Sequence, residues 1–475
     1  MAGVVAAGHP ESAAAGASAL REGGNAVDAA VAAVLSSFAV ESPLTGLGAG
    51  GYMIVHDRGA QVELLDFFVA SPGLDGTRRT DELAPVSVVF DATTSQTFYV
   101  GPVSCAVPGT PAGLVEALRR FGSMPLTELA APAIRLAREG SAVNHQQAYI
   151  LEILEPIHGR LPGARELYAP GGRTLREGET LRFEELAVAL ERFAAEGAVP
   201  FYRGEVAAAL SDFVIEGGGT LGRGDLAAYA ATWREPVHAP FRGTEVLTNP
   251  LPSAGGTLIA HSLETLERLG PRSDPERLVA AMDAANEHRA SLLGSTTHIS
   301  VIDADGMCAA VTCSNGSGSG VLVPGTGVIL NNMLGEEDLN PGGFHRIPPG
   351  RRVPSMMAPT VVLRDGEVVL AVGSAGSNRI RSAILQTVVR MVEQGMGPQE
   401  AIDAPRLHSE GGAVLAEPGV DAEALARIEA RGTPVLRLPE RSLYFGGVQA
   451  AARDPATGAL SGGGDPRRGG AVAYA

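Results

Sequence analysis

The chain has 475 residues, of which 45% are hydrophobic and 19% are charged. This composition predicts a folded protein with an ample core, built as two or three average domains or as one large layered domain, and argues against disorder. The 37 basic and 53 acidic residues give a net charge of −16, which would repel nucleic acid and anionic membrane surfaces. We therefore expect no nucleic-acid partner and no membrane partner.

The N-terminal segment and the cysteines point to a cytoplasmic location. The segment lacks a basic start and a long apolar stretch and contains an early Pro10, unlike a secretory signal. Cys105, Cys308 and Cys313 form no CxxC pair, as expected of reduced thiols. No histidine or cysteine spacing typical of zinc occurs, so we expect no metal.

The elements predicted from the N-terminus to the middle of the chain are mainly helices. Two helices, at about 10–22 and 26–38, flank Gly23-Gly24. Two strands, 52–56 and 62–69, follow them. Apolar residues then recur at helical spacing in five segments, namely 112–120, 126–139, 183–193, 205–216 and 258–269. This region is predicted to form a helical layer.

Strands and turns dominate from Thr296 onward. Two apolar runs, 297–302 and 309–312, flank Asp305-Gly306, which predicts a hairpin with Thr296 at the start of its first strand. A second strand pair, 360–363 and 368–372, precedes a helix at about 379–393. This order predicts an α+β protein of stacked layers rather than a regular βαβ fold.

Two glycine-rich segments resemble, by composition, a nucleotide-binding motif and a flexible linker, but their sequence context favours other roles. Residues 46–51 match G-x-G-x-x-G, but a helix precedes them and a strand follows, the reverse of a dinucleotide-binding fingerprint. We expect no nucleotide cofactor there, and close backbone packing beneath an active site instead. The tract 314–320 (SNGSGSG) lies between strand-like sequences and is predicted to be an ordered loop lining a pocket.

The motif Thr296-Thr297-His298 carries the strongest functional signal. Two threonines at a strand start are ordinary β-branched residues by propensity alone, but here they occur among ordered sequence blocks. These blocks are 23–30, 46–51, 107–110, 131–134, 225–229, 233–236, 252–256, 330–332 and 404–406. With them the chain resembles the gamma-glutamyltransferase (gamma-glutamyltranspeptidase) family of N-terminal-nucleophile hydrolases along almost its whole length.

The resemblance implies a four-layer αββα sandwich and self-cleavage between Ser295 and Thr296. The products would be a large fragment, 1–295, and a small fragment, 296–475, that stay associated. The Thr296 hydroxyl would attack the preceding carbonyl, an ester would form by acyl shift, and water would hydrolyse that ester to release the two fragments. The freed α-amino group would then serve as general base for the same hydroxyl, with no cofactor.

The resemblance also implies roles for residues around the nucleophile. Ser314 matches a second hydroxyl that orients it, and Asn315 matches a substrate-contacting asparagine. Gly376 and Ser377 match a loop whose backbone N–H groups form the oxyanion hole.

Departures from the family pattern concern substrate recognition. Phe68 stands where the family has an arginine that binds the glutamyl α-carboxylate, and a phenyl ring makes no such contact. Ser355 and Met356 stand where two serines assist that arginine. Glu336 is expected to hold the substrate amine. A replacement cation is expected from Arg346, Arg351 or Arg352, which lie nearby in sequence.

Three functions follow from these observations. The first is a gamma-glutamyltransferase-like enzyme that cleaves glutathione or another gamma-glutamyl amide by hydrolysis or transfer. The second is a relative with the same threonine that acts on another amide or on a carbon–carbon bond beside a carbonyl, as proposed for homologues in lincosamide and pyrrolobenzodiazepine biosynthesis. The third is an unprocessed binding protein, which the short segment 291–295 favours. The expected partner is a small-molecule substrate, and homo-oligomerisation is left open.

Overall fold

The computed structural model describes residues 1–58, 61–89, 95–286 and 296–475. The predicted cleavage point after Ser295 and the segment 291–295 lie outside these residues. Within the described ranges no helix is long and apolar enough to cross a membrane.

The strands of the described residues form two large sheets and four small ones. They are β1 Gly3–Ala7, β2 Gly50–His56, β3 Val62–Phe67, β4 Ala84–Val89, β5 Ser95–Val100, β6 Ser141–Ala142, β7 Thr180–Leu181, β8 Thr232–Arg234, β9 Val237–Phe241, β10 Thr244–Thr248, β11 Thr297–Asp303, β12 Cys308–Ser314, β13 Leu322–Val323, β14 Val328–Ile329, β15 Thr360–Arg364, β16 Glu367–Ala375, β17 Leu407–Glu410, β18 Ala413–Ala416, β19 Val435–Arg437, β20 Gly447–Arg453, β21 Leu460–Gly464 and β22 Ala471–Tyr474.

The helices lie mainly between β5 and β11. They are α1 Pro10–Arg21, α2 Ala26–Val40, α3 Thr110–Phe121, α4 Leu126–Glu139, α5 His145–Ile153, α6 Glu155–His158, α7 Pro162–Tyr168, α8 Glu184–Glu196, α9 Val199–Arg203, α10 Glu205–Glu216, α11 Arg223–Ala228, α12 Ala254–Leu269, α13 Pro275–Asn286, α14 Arg379–Val392, α15 Pro398–Asp403 and α16 Ala422–Ala430.

The first large sheet has seven strands in the order β22-β1-β11-β12-β2-β3-β8. The predicted hairpin forms its centre, since β11 pairs antiparallel with β12 and places Thr297 opposite Cys313. The second large sheet has six strands in the order β21-β20-β16-β15-β10-β9. Both sheets therefore combine strands that precede Thr296 with strands that follow it.

The two large sheets stack face to face. Between them, Tyr52 and Ile302 of the first sheet share an apolar core with Val361 and Ala371 of the second. The outer face of the first sheet packs against α1 and α2, and that of the second against α12 and α14. The predicted α+β fold, a four-layer αββα sandwich, is confirmed.

The predicted helices and strands occur, with bounds that differ by a few residues. The strand expected to begin at Thr296 begins at Thr297. The edge strand β22 and the neighbouring strand β1 were not predicted. β1 is only five residues long and fully buried, so it shows no alternation of apolar and polar residues.

Candidate active site

Thr296 lies directly before β11, in the centre of the seven-stranded sheet between β1 and β12. Successive side chains of a strand point to opposite faces. The Thr297 hydroxyl reaches Glu41 at the end of α2, on the helical side, so Thr296 faces the space between the two sheets. It is buried, with 3% exposure.

A small cavity surrounds Thr296. Its wall has four hydroxyl side chains and six apolar ones, namely Thr296, Ser314, Ser355, Ser377, Phe68, Met333, Leu339, Met356, Met357 and Ile380. We call this space the Thr296 cavity. Its volume of about 20 Å³ holds about one water molecule, so entry of an acyl group requires flexible side chains such as the methionines to move.

Six of the nine residues predicted for the site line this cavity. They are Thr296, Ser314, Ser377, Phe68, Ser355 and Met356. Gly376 directly precedes Ser377 without lining the cavity. Asn315 and Glu336 do not line it either; both are buried around the turn that follows Ser314.

Ser314 ends β12, the strand beside the nucleophile. The ladder places it opposite Gly50 of β2, in the glycine-rich segment that the sequence predicts to pack beneath the site. Its Oγ accepts a hydrogen bond of 2.9 Å from the Gly316 N–H. This bond fixes the side chain at the start of the turn, with its hydroxyl on the nucleophile's side.

The Gly376-Ser377 turn connects β16 to α14. Gly376 has φ of 115°, and a side chain there would come within 2.6 Å of the Gly446 Cα, so only glycine fits. Ser377 also has a positive φ, 64°, a strained conformation that is frequent at functional sites. Ile380, in the first turn of α14, lines the cavity as well, so the positive end of the helix dipole lies at the cavity.

The apolar wall is fixed by stacking and by local hydrogen bonds. The Phe68 ring stacks on Tyr52 with centroids 5.5 Å apart, and the Phe68 carbonyl accepts a bond of 2.7 Å from the Tyr229 hydroxyl. The Ser355 hydroxyl accepts from the Met357 N–H at 3.0 Å. This wall therefore presents carbon and sulfur to the nucleophile.

Behind the turn that follows Ser314 lies a buried polar group of Asn315, Ser317, Asn332 and Glu336, which we call the Asn315 cluster. Glu336 Oε1 accepts from the Ser317 N–H at 2.8 Å, and Asn332 Nδ2 donates to Ser317 Oγ at 2.7 Å. Glu336 Oε2, Asn332 Oδ1 and both amide atoms of Asn315 make no hydrogen bond with the described residues.

Burial controls the charge of the Asn315 cluster. Glu336 is 1% exposed, and burial, reinforced by the nearby Asp338 charge, raises the pKa of Glu336 to about 8. Gly316 has φ of 69°, and a side chain there would collide with Asn332 and Glu336. Glycine at this position therefore lets the turn fold closely over the carboxyl group.

A second buried carboxyl group lies on the helical side of the nucleophile's strand. Glu41 Oε1 accepts from the Thr297 hydroxyl at 2.9 Å, and Glu41 Oε2 lies 3.5 Å from the Ser12 hydroxyl. Burial raises the pKa of Glu41 to about 7, although these hydrogen bonds oppose the shift.

His298 is excluded as a general base by its surroundings. Its ring lies between the Thr312 and Ser300 hydroxyls, at 2.8 and 2.9 Å, in the layer between the sheets. Burial lowers the pKa of His298 to about 3, so the ring is neutral at physiological pH and a very weak base. Its contacts give it a structural role.

The arginines expected to replace the missing cation do not reach the cavity. Arg352 contacts Asp66 Oδ1 through its Nε at 3.1 Å and stacks on Tyr229. Arg351 and Arg352 line a separate cleft, and Arg346 lines neither space. No charged side chain of the described residues lines the Thr296 cavity, so the expectation of a replacement cation there was wrong.

Several residues of the site were not predicted. Met333, Leu339, Met357 and Ile380 complete the apolar wall, and Glu41 contacts the strand of the nucleophile. Met333 directly follows the Leu330-Asn331-Asn332 block and Met357 directly follows Met356, so proximity to matched blocks was the available signal. Nothing in the sequence singles out Glu41.

Comparisons with known proteins identify the family to which the chain belongs. The gamma-glutamyltranspeptidase family model matches residues 12–294 and 271–475. The acylase ACY 1 proenzyme of Pseudomonas sp. strain V22 is 32% identical over 97% of this chain and 91% of its own length. The glutathione hydrolase proenzyme of Escherichia coli strain K12 is 31% identical over 94% of this chain and 87% of its own length.

The solved structure of cephalosporin acylase from Bacillus halodurans has a similar fold over the whole chain. Its TM-score is 0.87 at 27% identity, with 100% of this chain and 96% of that chain covered. Gamma-glutamyltranspeptidase from Pseudomonas nitroreducens matches over 59% of this chain and 83% of its own, with a TM-score of 0.51 and 28% identity.

Proposed function

Since the chain belongs to the gamma-glutamyltranspeptidase family of N-terminal-nucleophile enzymes, we propose that it cuts itself before Thr296 and then hydrolyses a small amide with an apolar acyl group. The observation that carries this proposal is the wall of the Thr296 cavity, which consists of hydroxyl and apolar side chains. A buried carboxylate with no cation beside it would lose several kcal/mol of solvation. An apolar acyl group gains free energy on entering the same space.

The proposed mechanism uses one residue as nucleophile and base. In the uncut chain the Thr296 hydroxyl attacks the carbonyl of Ser295, and the C–N bond breaks to leave an ester and a free Thr296 α-amino group. Water then hydrolyses the ester, which frees the hydroxyl and separates a fragment ending at Ser295 from one beginning at Thr296. In the mature enzyme that amine takes the hydroxyl proton as Thr296 Oγ attacks the substrate carbonyl. The acyl-threonine ester then reacts with water, which releases the acid, or with an amine, which forms a new amide.

Two features support the stabilisation of the negative oxygen formed in each attack. Ser377 lines the cavity, and α14 begins two residues later with its positive end toward the same space. Backbone N–H groups held there would serve both the tetrahedral intermediate of self-cleavage and that of substrate cleavage. Loss of one such donor typically costs about 3 kcal/mol of transition-state stabilisation.

A gamma-glutamyl amide is the second candidate substrate. It is favoured by the 31% identity with the E. coli glutathione hydrolase proenzyme and by Glu336, a buried carboxyl group with an oxygen that has no partner among the described residues. An ammonium group would satisfy that oxygen and lower the pKa of Glu336. The α-carboxylate of the same substrate still has no cation at Phe68.

Two chromogenic substrates distinguish the candidates. We expect the self-cleaved protein to release 4-nitroaniline from hexanoyl 4-nitroanilide faster than from gamma-glutamyl 4-nitroanilide, at equal concentrations and with the Thr296→Ala variant as background. A higher kcat/KM for the gamma-glutamyl compound would reject the apolar-acyl proposal in favour of the second candidate. Absence of turnover with both, in protein shown to be cut, would reject both acyl groups.

A further inference from the structure

A large cavity lies apart from the Thr296 cavity. It has a volume of about 610 Å³, in the usual range for small-molecule sites. Arg234, Arg351 and Arg352 line it together with Tyr229 and Asp225, and we call it the Arg351 cleft. It shares no lining residue with the Thr296 cavity.

Two of the three guanidinium groups are held by a buried carboxylate. Asp66 is fully buried, and its two oxygens accept from Arg234 Nε at 2.7 Å and from Arg352 Nε at 3.1 Å. The Arg352 guanidinium also stacks on the Tyr229 ring at 4.5 Å. These contacts hold both arginines in fixed orientations, which reduces the entropy that a ligand would otherwise lose in ordering them.

Part of the donor capacity of the cleft is unused. Arg234 contacts Asp66 through Nε, and its terminal N–H groups make no hydrogen bond with the described residues, although the side chain is 32% exposed. Arg351 is exposed, and no carboxylate of the described residues pairs with it. Arginine N–H groups of this kind match the paired oxygens of a carboxylate or a phosphate.

The acidic residues of the cleft do not cancel this positive charge. Asp66 offsets one guanidinium. Asp225 accepts three backbone N–H groups, those of Gly73, Leu74 and Gly222, at 2.7 to 2.9 Å, so its oxygens are occupied within the wall. Three arginines against two carboxylates leave a positive cleft on a chain whose net charge is −16.

We propose that the Arg351 cleft is a binding site for a small organic or inorganic anion that carries a carboxylate or phosphate group. Such a ligand would accept hydrogen bonds from Arg351 and from the terminal N–H groups of Arg234, beside the Tyr229 ring. This proposal concerns a second site and does not depend on the substrate of Thr296.

The cleft is mechanically connected to the wall of the Thr296 cavity. Asp66 Oδ1, which accepts from Arg352, also accepts from the Phe68 N–H at 3.0 Å. The Tyr229 hydroxyl donates to the Phe68 carbonyl. An anion bound by the terminal N–H groups of Arg234 therefore acts, through Asp66, on the residues that hold Phe68, and we expect bound anion to change KM for the anilide substrate more than kcat.

Titration calorimetry at constant ionic strength tests the site with two probes, citrate and inorganic phosphate, and with chloride as reference. We expect saturable binding of at least one probe to the full chain, weakened about tenfold or more by Arg351→Gln, since a hydrogen bond to a charged group contributes about 1.5–3 kcal/mol. Arg346→Gln is the matched control, because Arg346 is an exposed arginine of the same segment outside the cleft. Citrate alone would indicate a carboxylate ligand, and phosphate alone a phosphate ligand.

Two results would overturn the proposal. One is the absence of saturable binding of both probes in the millimolar range. The other is equal weakening by Arg351→Gln and Arg346→Gln, which would indicate general charge attraction. A thermal unfolding curve of each variant shows whether it is folded, so that weakened binding can be distinguished from unfolding. The Thr296→Ala variant should bind the probes like the parent, so this test stands whether or not the amidohydrolase proposal holds.

Discussion

The Thr296 cavity and the Asn315 cluster are neighbouring buried spaces on either side of one turn, yet they differ in polarity. The cavity wall has hydroxyl and apolar side chains, whereas the cluster contains the Glu336 carboxyl group and amide atoms without partners among the described residues. Gly316, at positive φ, allows the two spaces to approach so closely.

This difference indicates that the two spaces have different roles in the site. A neutral cavity keeps the dielectric constant near the nucleophile low, which strengthens the effect of backbone donors on a developing negative charge. A polar group on the far side of the turn is available to recognise a polar part of a ligand.

Replacing Phe68 by arginine should destroy the neutrality of the cavity. We expect Phe68→Arg to lower kcat/KM for hexanoyl 4-nitroanilide by at least about a hundredfold, because an unpaired buried charge costs about 3–5 kcal/mol. The ratio of gamma-glutamyl to hexanoyl turnover should rise, since a guanidinium pairs with an α-carboxylate.

Phe68→Leu is the control for the loss of the ring, and we expect it to retain hexanoyl turnover within about tenfold of the parent. Thermal unfolding of both variants shows whether they are folded. Hexanoyl turnover of folded Phe68→Arg at the level of the parent would show that the acyl group does not occupy this cavity.

Removing the Ser314 hydroxyl should slow self-cleavage. This hydroxyl lines the cavity and is fixed by the Gly316 N–H, so we expect Ser314→Ala to slow appearance of the two fragments by about tenfold to a hundredfold, the effect of losing a buried hydrogen bond near the reacting atoms. Gel densitometry of freshly purified protein over time gives the rate.

Ser319→Ala is the matched control, because Ser319 is buried in the same loop but donates to the Leu330 carbonyl at 2.7 Å and does not line the cavity. Its cleavage rate should equal that of the parent. Equal rates for the Ser314 variant and the parent would remove Ser314 from the mechanism.

The charge of the Asn315 cluster should appear in the pH dependence of stability. Folding raises the pKa of Glu336 from 4.5 to about 8, so between these values the folded state binds more protons than the unfolded state. The stabilisation from the protonated group is complete below about pH 4.5 and is lost as pH rises toward 8. Glu41 acts in the same direction up to about pH 7.

We therefore expect the midpoint temperature of unfolding to decrease as the pH rises from 5 to 8, and the Glu336→Gln substitution to make this decrease smaller. Glu337→Gln is the control, because Glu337 is the exposed neighbour in sequence. The measurement is thermal unfolding by circular dichroism in uncut Thr296→Ala protein, so that cleavage does not interfere. An identical pH slope with and without the Glu336 carboxyl group would contradict its buried, protonated state.

Much of the fold followed from local sequence signals. The β11–β12 hairpin was predictable because Asp305-Gly306 marks a turn between two apolar runs, and α4 and α10 because their apolar residues keep helical spacing. β1 was missed because it is short and buried on all sides. Its place between β22 and β11 depends on pairing with residues about 300 and 470 positions along the chain.

The site was predictable at the level of matched motifs but not of side-chain direction. Phe68, Ser355 and Met356 were assigned to the site from the family pattern, and they line the cavity. Asn315 and Glu336 come from the same pattern, yet the turn at Gly316 directs them into a separate cluster. Arg352 lies only three residues before Ser355, but the buried Asp66 holds it in the other cleft.

The most direct test of the role of Thr296 is the denatured intact mass of the purified protein, beside a Thr296→Ala control. We predict two fragments that meet between Ser295 and Thr296 in the parent and a single uncut chain in the variant. A single full-length mass in both proteins after prolonged incubation, or the same cut in the variant, would contradict Thr296 as a self-exposed nucleophile.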